Sequence, residues 1–225
     1  MSAILFTGNI HSEYFDTILK QASYVKEDVL KVACIWEHEK EEYIQALKNH
    51  HFVIVKSTLR DQEFHVPQFI PIVDGLEFLQ ENYPEIKFVL RTRFDITSND
   101  YGKYVELIRD QNIHKITVIC GIKTNEVYFL DIIVGGRLSE MTAFYRRQPR
   151  SDSAYPEKFL LENYSKKKKI FDENDLREIL QFSFELCKNH SIEFTWYRDW
   201  DSTFWTKPHV KVIQEYCGND SIIWT

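Results

Sequence analysis

The stretch Phe88-Val89-Leu90-Arg91-Thr92-Arg93-Phe94-Asp95-Ile96-Thr97 decides the fold. Three apolar residues of high strand preference run straight into two arginines and an acid, so a buried strand ends in polar surroundings. In open α/β sheets, ligands collect outside the carboxyl ends of the strands, which places Asp95 where a ligand sits. One carboxylate there suits a hard divalent cation, which takes oxygen ligands and bridges phosphate oxygens. The arginines balance diphosphate charge or pair with nearby acids, and an ion pair tidying a strand end explains Arg-x-Asp equally well.

Working outward, short apolar runs alternate with amphipathic segments, the pattern of α/β units around a mostly parallel sheet. Upstream, Ala3 to Thr7, Val29 to Ile35 and Phe52 to Lys56 read as strands. Between them Tyr14, Phe15, Ile18, Leu19 and Ala22 recur at helical spacing, and Glu37 to Asn49 is rich in helix formers. Phe69, Ile72, Val73, Leu76 and Leu79 form the buried stripe of a helix opened by Pro67 or, alternatively, by Pro71. Downstream, a helix carries Tyr104, Leu107 and Ile108, Ile116 to Cys120 is a strand, and the apolar run Tyr128 to Val134 ends at Gly135-Gly136. Helix resumes near Leu138. A long helix is expected through Leu176, Ile179, Leu180, Phe184 and Cys187, then a strand at Ile192 to Tyr197 and a terminal helix around Val210 to Tyr216. Arg146 to Ser153 and Lys166 to Lys169 read as basic, loop-like stretches suited to a mobile lid, with a helix from Pro156 to Tyr164 between them.

With 225 residues, a single domain over residues 1–225 is expected. The formal charge of -6 draws the chain neither to nucleic acid nor to an anionic membrane. No apolar run approaches the length of a transmembrane segment. Cys34, Cys120, Cys187 and Cys217 lack metal-binding spacing, so they read as small buried hydrophobes in a reduced, cytoplasmic protein.

Several positions, in order, resemble the WavE-type glycosyltransferases of lipopolysaccharide and surface-glycan synthesis. Arg91, Arg93 and Asp95 resemble that family's strand ending, and Val32-Ala33-Cys34-Ile35-Trp36 resembles its second strand, closing on Trp. Gln68, Gly75 and Leu76 match a Gln-x₆-Gly-Leu helix motif, Asp131 with Gly135 or Gly136 an Asp shortly before Gly, and Pro156, Glu157 and Leu160 a later helix start. The resemblance spans about residues 3 to 165. It implies a GT-A (nucleotide-diphospho-sugar transferase) fold, a Rossmann-like mixed sheet flanked by helices. It departs from the Asp-x-Asp of many GT-A enzymes, since Arg93 takes the place of the first acid.

The remaining residues fit a sugar transferase acting from a UDP- or GDP-linked donor on a glycan hydroxyl. Thr7, Gly8 and Asn9 follow the first strand, where Gly lets the backbone approach a nucleotide closely. Trp36 can stack on a base or sugar, although a half-buried Trp is as readily part of the core. With Gln68, Arg91 and Arg93 these make the candidate donor site. Asp95, with His209 as a further candidate, would hold manganese or magnesium. Asp131, set in an apolar run where a lone carboxylate is costly, and Glu157, which also suits a helix start, are the candidate catalytic acids or bases. A catalytically silent carbohydrate-binding domain, motivated by 5 Trp and 12 Tyr, and a metal-dependent nucleotidyltransferase or phosphodiesterase are the alternatives.

Overall fold

The computed structural model describes residues 1–60, 67–98, 100–110, 116–118, 133–146, 184–186 and 194–196. The chain opens with β1 (Ser2–Thr7), α1 (Ser12–Ser23), β2 (Val29–Trp36), α2 (Glu41–Asn49) and β3 (Val53–Ser57). A 3₁₀ turn (Pro67–Phe69) leads into α3 (Ile70–Asn82), followed by β4 (Phe88–Arg93), β5 (Ile96–Ser98) and α4 (Tyr101–Asp110). Then come β6 (Ile116–Val118), β7 (Val134–Arg137), α5 (Leu138–Arg146), β8 (Phe184–Leu186) and β9 (Phe194–Trp196).

Seven of these strands form one sheet in the order β3-β2-β1-β4-β7-β6-β8, and β5 pairs with β9 in a separate ribbon. β3, β2, β1 and β4 are parallel. β7 runs antiparallel to both β4 and β6, and β8 is parallel to β6. The result is the α/β sheet expected from the alternation of apolar runs, with the mixed strand directions that the resemblance implied. β1 lies inside the sheet between β2 and β4, and all six of its residues are buried, as a parallel strand covered on both faces requires.

Strand side chains alternate between faces, so register fixes who shares a face. Leu5 pairs with Val32 and Arg91, and Thr7 pairs with Cys34 and Arg93. On this face lies α3, brought close by Gly75, where a Cβ would come within 2.6 Å of Leu5 Cδ1 and 3.3 Å of Cys34 Cβ. The glycine of the Gln-x₆-Gly-Leu motif therefore has a packing reason here: the helix sits directly on β1 and β2. Phe69, Ile72, Leu76 and Leu79 are fully buried and Val73 nearly so. Phe69 also meets Tyr145 of α5 at 5.8 Å between ring centroids, so α5 shares this layer. On the opposite face, Phe6 packs edge-on against Tyr101 of α4 at 5.3 Å, and Phe94 meets Phe15 of α1. Phe15 in turn packs edge-on against Tyr43 of α2.

Several boundaries differ from the sequence reading. Of the two prolines, Pro71 is the one in the first turn of α3, where its missing N–H leaves no bond unmade; Pro67 opens the 3₁₀ turn. α2 starts at Glu41 rather than Glu37, because Glu37 and Glu39 donate backbone N–H groups to the carbonyls of Ser57 and Trp36 in a turn. β7 runs through Gly135-Gly136 instead of ending there, pairing Gly135 with both Leu90 and Thr117. Phe184 to Leu186, expected within a long helix, is a strand pairing with Ile116 to Val118. Arg146, expected in a loop, ends α5 and donates to Glu77 of α3 at 2.8 Å. Residues 147–183, the segment 119–132 and the Val210 to Tyr216 helix lie outside the described residues.

Candidate functional site

The parallel strands β1, β2 and β4 end side by side, and the start of α3 stands over their ends. Between them is a cleft of about 280 Å³ lined by Thr7, Gly8, Asn9, Trp36, Gln68, Arg91, Arg93 and Asp95. These residues come from three strand ends and one helix start, far apart in sequence. The cleft thus joins every residue read as donor-binding, together with Asp95. Asp131, Glu157 and His209 lie outside the described residues.

Backbone conformation shapes the floor. Gly8 has φ of 96°, a region an L side chain adopts only with strain, and nothing lies within 4 Å of where its Cβ would be. The chain therefore turns sharply off β1 and leaves open space above the turn. Trp36 is half-buried at the end of β2 and stacks on His38, with 6.4 Å between ring centroids and planes 11° apart.

The cationic wall is held by specific bonds. Arg91 is 3% exposed, and its Nε donates to Thr7 Oγ1 at 3.0 Å. The Thr7 hydroxyl donates onward to the Thr92 carbonyl at 3.3 Å. Arg93 Nε and Nη2 donate to Asp95 Oδ1 and Oδ2, each at 2.7 Å, a two-pronged pair with side-chain exposures of 17% and 6%. Beneath the cleft, burial pushes the Cys34 thiol up to about 12, against the opposing effect of its 3.3 Å bond with Ser57. It is a neutral, packed side chain and not a nucleophile.

His11, Pro67 and Pro71 also line the cleft; the sequence marked the two prolines only as helix starts and did not single out His11. His11 follows Asn9 by two residues in the same strand-to-helix loop, a position that could have flagged it. His11 and Asp95 also border a second cavity of about 350 Å³, between the starts of α1 and α2, where Glu13, Glu39 and Tyr43 contribute. A larger cavity of about 660 Å³ lies by Lys87 and Arg137, near the start of β4 and the start of α5. It is remote from the strand ends that converge on the cleft.

The donor set can be tested for a divalent cation. Among the described residues, two guanidinium groups and one carboxylate line the cleft, and that carboxylate already accepts from Arg93 through both oxygens. Among the described residues, no three His, Cys, Asp or Glu side chains are grouped to hold a metal. Hard cations favour several oxygen ligands carrying excess negative charge. The described lining does not fit one.

No protein-family model matches the sequence, and no curated protein matches it. Among solved structures, the chain is similar to 4-diphosphocytidyl-2C-methyl-D-erythritol synthase from Anaerococcus prevotii DSM 20548, with a TM-score of 0.48 and 10% identity, covering 81% of this chain and 95% of that one. It is also similar to an active-site mutant of LgtC, with a TM-score of 0.45 and 15% identity, covering 83% of this chain and 72% of that one. The WavE-type resemblance rests on the residues quoted for it. No helix among the described residues is long and apolar enough to cross a membrane.

Proposed function

We propose that the chain is a glycosyltransferase that binds a nucleotide-diphosphate sugar in the cleft and transfers the sugar to a glycan hydroxyl. The observation that carries this reading is the convergence of Arg91 and Arg93 with the Gly8 turn and Trp36 at the carboxyl ends of parallel strands. Each part answers a part of such a ligand. The open space over Gly8 admits a phosphate or ribose close to the backbone, and the Trp36 ring offers a face for the base. Two guanidinium groups face the charge that grows on the leaving diphosphate as the sugar–oxygen bond breaks. Both are held before the ligand arrives, Arg91 by Thr7 and Arg93 by Asp95, so little reorganisation accompanies the reaction.

If the reaction inverts the sugar, a carboxylate must take the acceptor's proton, a role proposed for Asp131 or Glu157. The WavE-type resemblance supports a surface glycan as acceptor and a UDP- or GDP-linked donor.

The test is to incubate the purified protein with a panel of UDP- and GDP-sugars and follow both binding and products. A glycosyltransferase releases nucleoside diphosphate, slowly to water and faster with an acceptor. Release of pyrophosphate from a nucleoside triphosphate and a sugar phosphate would instead make it a nucleotidyltransferase. Glycan binding with neither product would make it a silent carbohydrate-binding domain.

A further inference from the structure

We propose that Asp95 is the positioning residue for a phosphate-binding Arg93, and that the cleft takes its diphosphate without a divalent cation. The inference rests on the nucleotide-diphosphate reading above and assigns the groups that neutralise the charge.

Geometry is the first support. Both Asp95 oxygens accept from one guanidinium at 2.7 Å, in the parallel two-bond arrangement that fixes the plane of an arginine most strictly. The residues are two apart at the tip of β4, so one turn of backbone holds both partners. Fixing two donors orients the whole five-donor plane. Arg93 and Asp95 both line the cleft, and the pair is mostly withdrawn from water, where such an orientation persists. To ligate a cation through both oxygens, Asp95 would have to leave Arg93. The partly buried guanidinium would then lose its counter-charge.

Charge is the second support. Of the described lining, a dication would meet two guanidiniums and one carboxylate that already accepts two bonds from Arg93, whereas a diphosphate ester meets the guanidiniums as counter-charges. Asp95 thus acts on the ligand through Arg93, and Arg91, anchored separately on Thr7, supplies the second cation.

The deciding experiment is calorimetric titration of the full chain with UDP and with GDP, in EDTA and in manganese. The tighter-binding nucleotide should show affinities in the two conditions within about threefold of each other. Asp95→Asn, which can no longer accept two bonds from Arg93, should weaken binding about tenfold in both conditions alike. Arg93→Lys keeps the charge and loses the fork, so it should weaken binding similarly, and adding Asp95→Asn to it should cause little further loss. Thermal unfolding of each variant is recorded alongside. Should Asp95→Asn fail to fold, the wild-type comparison and Arg93→Lys still decide.

Binding that requires manganese, or an Asp95→Asn variant that loses a manganese effect while keeping its affinity in EDTA, overturns the inference and leaves the nucleotide reading intact. Losses that simply add in the double variant also overturn it. Absence of binding by either nucleotide in both conditions removes the nucleotide-diphosphate reading and this inference together.

Discussion

Thr7 does two things with one hydroxyl, accepting from Arg91 and donating to the Thr92 carbonyl. Thr7→Val keeps the shape and deletes both bonds, leaving a buried guanidinium short of an acceptor. Urea unfolding should show a loss of about 1–3 kcal/mol, with weaker nucleotide binding because Arg91 is less firmly aimed. Gly8 offers a contrast, since the space around its missing Cβ is empty and only the backbone angle objects to a side chain. Gly8→Ala should lower stability by about 1–3 kcal/mol, and Gly8→Asn by less, in the same measurement. If the proposed transfer inverts the sugar, Asp131→Asn and Glu157→Gln should separate by turnover: the base loses about 10²-fold or more while donor affinity holds, and full activity in both makes neither the base. At this scale the sequence showed most of the cleft, because Thr7, Gly8, Trp36 and Arg93 stand at strand ends that local pattern locates. The Arg93–Asp95 fork was only one of two open readings, since spacing alone does not say whether an arginine turns toward its neighbour or toward a ligand.

The elements that local pattern identified best are those whose burial is local. β1, α1, β2 and the α3 stripe emerge within a residue or so of their expected positions, as each carries its own apolar face. Phe184 to Leu186 was misread because its strand state comes from pairing with Ile116 to Val118, nearly seventy positions away, and a three-residue strand carries too short a pattern to compete with helical spacing. The glycines of β7 looked like a stop signal and are instead a docking point. A Cβ on Gly135 would collide with the Ile108 side chain of α4 and meet the Val89 carbonyl at 3.4 Å. Gly135→Ala should therefore destabilise the protein by about 1–3 kcal/mol in chemical denaturation. Shortening the opposing side chain with Ile108→Val in the same chain should recover part of that loss, which an unrelated pair would not show.

For the molecule as a whole, the buried Cys34 thiol links stability to alkali. Its pKa is raised, chiefly by burial, from 9.0 to about 12, so the folded state favours the neutral thiol. The contribution is complete below about pH 9, where the unfolded thiol is also neutral. It is lost as pH rises towards about 12, because the unfolded chain ionises first. Urea unfolding at pH 8 and pH 10.5 should therefore show a smaller decline for Cys34→Ala than for the natural chain. In the native state at pH 8 the thiol should resist thiol-directed reagents until the protein unfolds.

The described walls of the cleft all come from the span between Thr7 and Asp95. During synthesis this span leaves the ribosome ahead of β6, β7 and α5, with β1 then able to pair on one side with β2 and on the other with β4. The described half of the cleft is thus written as an early, contiguous instruction. Everything translated later, including Asp131 and Glu157, is added to a span that already carries every described wall of the cleft.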